Sequence, residues 1–104
     1  QLAMQLTHRD VVLDSFISRQ NLIAQLKSGD ELDVDGDYCI NSKGQKILKF
    51  SNRLKGKIEE MKQKNYFPQK AKIKFIVYWH EEGSEFEIRI VLPELYFEST
   101  EDIM

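Results

Sequence analysis

The sequence predicts a small α+β domain: a curled antiparallel sheet or partly open barrel of five or six short strands with two helices. Three observations predict it. Short β-favouring segments are separated by turn dipeptides such as Asp35-Gly36. One stretch, from Leu54 to Met61, carries apolar residues at helical spacing behind a capping serine. A chain of 104 residues suits a single core, since domains typically run to about 100–150 residues.

Taken in order, Val11, Val12, Leu13 and Phe16 form a β-favouring run. Ser18 is then placed to cap a turn or two of helix carrying Leu22, Ile23 and Leu26, which Gly29 stops. Glu31 to Val34 and Tyr38 to Ile40 read as a hairpin about Asp35-Gly36. Asn41 to Gly44 make a second turn, and Gln45 to Phe50 another strand. Ser51 caps the helix bearing Leu54, Ile58 and Met61, whose other faces hold Arg53, Lys55, Lys57, Lys62 and Lys64. Asn65 to Gln69 end it at Pro68. Ala71 to Trp79 is the most regular strand, and period-two alternation expects Ile73, Phe75, Val77 and Trp79 inward with Lys72, Lys74, Ile76 and Tyr78 outward. After a turn at residues 81–84, Phe86, Ile88, Ile90 and Leu92 are the expected inward set of the returning strand, which Pro93 ends. The ordered core is expected over about residues 10–97 of a single domain, with fraying termini.

With 41% hydrophobic residues and aromatics from Phe16 to Phe97, the chain can offset the entropy of a compact fold. The single cysteine, Cys39, excludes an internal disulfide and fits a reducing, cytoplasmic compartment. No apolar run approaches the roughly 18–20 residues of a membrane helix, so no membrane partner is expected. The first residues lack both an initiator Met and a signal pattern, as in a segment cut from a longer protein.

Motifs for catalysis and metal binding are missing. Glu31 to Asp37 superficially matches a calcium loop, but Glu31 stands at position one and Ser42 at position twelve, where a bidentate carboxylate is required. His8, His80 and Cys39 have no zinc-type spacing. Cys39 has no base beside it and reads as a core residue. No phosphate-binding glycine loop is present. The expectation is a domain that binds rather than reacts, with no cofactor.

The net charge of −2 conceals a segregation: residues 43–74 carry 11 Lys/Arg against Glu59 and Glu60, leaving the rest of the chain strongly acidic. Within the basic stretch Lys46, Lys49, Arg53 and Lys57 run through a strand and the start of a helix, and Lys72, Lys74 and Tyr78 share one face of the next strand. Cations for phosphates and aromatic rings for bases are what single-stranded nucleic acid requires. These seven residues are the candidate site. The competing reading is a solvated lysine surface, with Glu87 pairing the strand lysines.

Gly29-Asp30-Glu31-Leu32, Gly44 to Ser51, the helix bearing Leu54, Gly56 and Ile58, and the strand from Ala71 together resemble the HIRAN domain, a module fused to DNA helicases and translocases. Phe16 to Ile23 and Leu92-Pro93-Glu94-Leu95 are similar to the carboxy-terminal extension of some bacterial RecQ-like helicases. The HIRAN resemblance implies an OB-like barrel holding the end of a DNA strand, with Lys49 at a DNA-contacting position. The family's loop before the second turn is shortened here to Asp35-Gly36-Asp37-Tyr38. The expected function is therefore that of a non-catalytic helicase accessory domain guiding single-stranded DNA, with parent helicase domains in the same chain. The alternative is a protein-interaction module whose acidic ends and hairpin edge contact a parent enzyme or partner.

Overall fold

A computed structural model describes residues 2–80, 82–83 and 85–99. Among them, six strands form one antiparallel sheet: β1 (Leu2–Gln5), β2 (Glu31–Asp35), β3 (Tyr38–Ile40), β4 (Lys46–Lys49), β5 (Tyr66–His80) and β6 (Glu87–Ser99). Their order is β1-β6-β5-β2-β3-β4, curled into a partly open barrel. Three helices accompany the sheet: α1 (Asp14–Ile17), α2 (Gln20–Ile23) and α3 (Asn52–Gln63). The Gly36 turn, the strand after Gly44 and the Ser51 cap form as expected, with the Ser51 hydroxyl accepting from the Leu54 N–H at 3.3 Å. Asn65, at a φ of 67°, takes the left-handed conformation that stops α3.

The strands are not all short. β5 and β6 run 15 and 13 residues, and at ~3.3 Å per residue their hairpin sets the 52 Å long axis of the molecule. Pro68 lies inside β5, beside a bulge, and Pro93 lies buried inside β6. Pro93 is tolerated because its backbone faces the β1 side, where its carbonyl accepts from the Leu6 N–H at 3.0 Å and where β1 has already ended. Ordered structure also begins earlier than expected, because β1 pairs with Glu94 to Phe97 of β6. Residues 100–104 of the expected frayed tail lie outside the described residues.

The inward face of the hairpin differs from simple alternation. Ala71 and Ile73 are buried as odd residues, but the register with β6 shifts between Ile73 and Phe75, which leaves Lys74 as an extra residue. Beyond it Ile76, opposite buried Val91, continues the core face, while Phe75 is 55% exposed and Val77 39%. On β6 the core face is Val91, Pro93, Leu95, Phe97 and Ser99. Ile88, Ile90 and Leu92 are across from Trp79, Val77 and Phe75; Ile90 joins the core, and Trp79, Ile88 and Leu92 pack against it, as expected. Phe86, also expected inward, is 78% exposed. On β5 the inserted residue leaves Phe75 and Val77 exposed and packs Ile76 against the core; on β6 residues of both faces contribute to it.

The amino-terminal segment closes the barrel. From β1 on the edge of β6, the chain crosses to the other end of the sheet, where Val11 bridges Phe50 and the Val12 N–H donates to the Lys49 carbonyl at 2.9 Å. Phe16, expected in a strand, is instead fully buried in α1. α2 starts at Gln20 without a side-chain cap, so Ser18 does not act as one. The Gln20 carboxamide returns to the β6 edge, donating to the Arg89 carbonyl at 2.9 Å and accepting from its N–H at 3.0 Å. Arg89 then donates through its guanidinium to the Leu26 carbonyl at 2.8 Å.

Phe97, fully buried on the core face, is expected to cost ~3–5 kcal/mol on truncation to Ala. Phe75→Ala should cost less than about 1 kcal/mol. Urea unfolding of the two variants checks the corrected face, and equal destabilisation would contradict it.

Candidate nucleic-acid interface

The seven sequence-predicted residues are spread over three elements. Lys46 and Lys49 lie on β4 and Arg53 and Lys57 on α3, whereas Lys72, Lys74 and Tyr78 lie on β5, separated from β4 by β2 and β3. Two are already paired with an acid. Arg53 Nε stands 3.7 Å and Lys57 Nζ 3.5 Å from Asp10 Oδ1. Lys72 lies between Glu31 and Glu94 as its cross-strand neighbours. Tyr78 is 63% exposed near the far end of the hairpin.

Asp10 places a carboxylate beside the start of α3. Its side chain is 2% exposed, and Oδ2 accepts from the Thr7 N–H at 2.8 Å and the Thr7 hydroxyl at 3.1 Å. Its carbonyl accepts from the Ser51 N–H, and the Ser51 hydroxyl donates to the Arg9 carbonyl. The carboxylate beside the first turns of α3 thus complements the positive helix end from within the chain. Lys55 is likewise engaged, 3.3 Å from Asp37, and Lys62 pairs with Glu59 at 3.5 Å.

Apart from these pairs lies a compact cationic and aromatic cluster about Tyr38. Lys46 Nζ stands 4.4 Å from the centre of the Tyr38 ring and the Arg19 guanidinium 6.0 Å from it. Lys49 is the cross-strand partner of Tyr38. The turn at Gly36 brings Tyr38 onto β3, and the Asn41 to Gly44 turn, held by the Asn41 side chain accepting from the N–H groups of Lys43 and Gln45, returns β4 beside it. Arg19 arrives from the link between α1 and α2, and its Nη1 donates to the Ser15 carbonyl at 2.6 Å. Among the described residues, none of Arg19, Lys46 and Lys49 makes an ion pair. Asp35, across from Tyr38 on β2, bounds the cluster on its acidic side. The arrangement can present cations to phosphates and an aromatic ring to a base. Sequence reasoning missed Tyr38 and Arg19; the hairpin pairing of residues 38 and 49 was readable, whereas nothing local places Arg19 there.

A groove of about 330 Å³ lies on the outer face of β5 and β6, lined by Glu31, Lys70, Lys72, Tyr96 and Glu98. Its charges are mixed, with Lys70 4.0 Å from Glu31, and the Glu94 carboxylate raises the Tyr96 phenol above its ordinary pKa. It is poorly suited to a polyanion. Cys39 is fully buried, and loss of solvation pushes its thiol up to about 12. The stability gained by keeping that thiol neutral is present below the ordinary thiol pKa of 9.0 and is lost as pH rises through about 12. No protein-family model, curated protein or solved structure matches the chain.

Asp10→Ala leaves the Thr7 N–H unpaired and two cations without their anion, and should cost ~2–3 kcal/mol. Arg53→Ala should cost under about 1 kcal/mol, because that side chain is 51% exposed. Chemical denaturation of both checks the ranking. Cys39 should resist a thiol reagent at neutral pH in the folded protein and react promptly in denaturant; rapid labelling of the native chain would contradict the burial.

Proposed function

We propose that this domain is a non-catalytic accessory module of a DNA helicase that guides single-stranded DNA across Tyr38, Lys46, Lys49 and Arg19. The observation that carries this reading is the Tyr38 ring with Lys46 4.4 Å from its centre and Arg19 and Lys49 beside it, all three cations without ion pairs among the described residues. Elsewhere on the basic stretch, carboxylates engage Arg53, Lys55, Lys57, Lys62 and Lys70, and the Tyr38 ring between its cations sets this cluster apart from the other unpaired lysines. The helicase context rests on the HIRAN-like residues, and the curled sheet is compatible with the barrel that the resemblance implies.

A protein-docking role is the second reading. Phe75, Val77, Tyr78 and Phe86, all on one projecting hairpin, are exposed, and exposed apolar groups gathered in one place mark interaction surfaces.

Titration of a labelled single strand at two salt concentrations separates the readings. Phosphate binding by three cations should weaken with salt at a log–log slope of about −2, and Lys46→Ala should flatten it by ~0.7. Tyr38→Ala should lose ~1–3 kcal/mol of stacking, whereas replacing Lys72 and Lys74 together by Ala should change the dissociation constant by less than about threefold. Equal losses from the two lysine positions would remove the localised site, and no binding by the parent chain at low salt would leave the docking role.

A further inference from the structure

The two edges of the β5–β6 hairpin are finished differently. On the β6 side, β1 and the Gln20 carboxamide take up backbone groups from Phe97 to Arg89. On the β5 side, β2 pairs with Lys70 to Lys72, and the last backbone bonds are those of Ile73 with Gly29 and Asp30, at 2.7 and 2.9 Å. Beyond them, among the described residues, no strand pairs with Phe75 to His80 on the edge away from β6. The edge sequence Phe-Ile-Val-Tyr-Trp-His has no Lys, Asp, Glu or Pro, the residues that commonly blunt an open strand.

We propose that this edge pairs antiparallel with the same edge of a second copy of the chain, making a two-fold dimer through a continuous sheet. This inference gives the docking reading a specific occupant and is independent of the cluster about Tyr38. Its register follows from the hairpin. Ile73 directs its backbone groups to Gly29 and Asp30, away from β6, and after the extra residue Lys74 the outward groups are those of Ile76, Tyr78 and His80. Centring the two-fold axis on Tyr78 pairs Ile76 with His80 of the second copy and gives about six new backbone hydrogen bonds, two per bonded pair. The same register sets Val77 against Trp79 of the second copy, twice over. Aromatic against β-branched is a favourable cross-strand combination.

Charge complementarity selects a second copy over an arbitrary strand. One end of the open edge is flanked by exposed Lys27 and Lys74, and the other by exposed Glu82 and Glu85. Asp30 lies at the basic end, but its carboxylate is taken by the Lys27 N–H at 2.9 Å. Antiparallel pairing puts the acidic turn of each copy on the basic end of the other, with Lys74 opposite Glu82.

Sedimentation equilibrium of the full chain over a range of concentrations tests the proposal. A reversible dimer is expected. Val77→Lys, a gatekeeper charge at an exposed site, should weaken it by about tenfold or more with the thermal midpoint of the monomer unchanged. Lys74→Glu and Glu82→Lys should each weaken it, and the double exchange should restore it. A monomer at millimolar concentration would overturn the proposal, as would a dimer indifferent to Val77→Lys or a charge exchange without rescue. Single-strand titration of Val77→Lys reports separately on the nucleic-acid site: unchanged DNA affinity is expected, and its loss together with the dimer would overturn the independence of the two surfaces.

Discussion

The Asp10 carboxylate is the constraint on which the closure of this barrel depends. A sheet that begins at β1 and ends at β4 has two distant ends, and a single short crossing must hold them in register. Asp10 fixes that crossing from three sides: its side chain folds the Thr7 turn, its carbonyl receives the N–H of the α3 cap, and its free oxygen draws Arg53 and Lys57. A neutral residue could make the turn but could not orient α3. A carboxylate at 2% exposure is tolerable because its charge is matched at once by two cations that keep their other sides in water.

This internal pairing also decides where an external anion can go. Cations that stabilise the fold are spent electrostatically on the chain's own acids, and a polyanion reaching them must compete with a neighbour at ion-pair distance. Arg19, Lys46 and Lys49 face no such competitor among the described residues. The basic middle of the sequence thus divides into a structural set and an available set, a division that linear charge cannot reveal.

The legible parts of the sequence were those governed by local chemistry. The glycine turn before Tyr38, the Ser51 cap and the apolar stripe of α3 all follow from neighbours within a few residues. Three things were not legible. Lys74 shifts the register of β5, and no residue type at that position announces a bulge. Pro93 reads as a strand terminator, yet its backbone faces the side where β1 has stopped. Phe16 has strand-like neighbours but packs as a helix residue because the crossing segment must turn back over the core. The candidate site shows the same split. Lys46 and Lys49 could be chosen from their strand, while Arg19 enters the cluster only through the path of that segment.

Gln20 carries a consequence beyond local stability. Its carboxamide meets the backbone of Arg89 as another peptide group would, and it ends the sheet on the β6 side without offering a new row of donors and acceptors. A strand carries such a row on its far side; a side-chain amide does not. Beside Arg89, sheet growth is therefore open on the β5 side only. An assembly joined through β5 terminates at its first addition, as a closed point group rather than a filament, so the long apolar hairpin can remain uncovered in a monomer without seeding indefinite stacking.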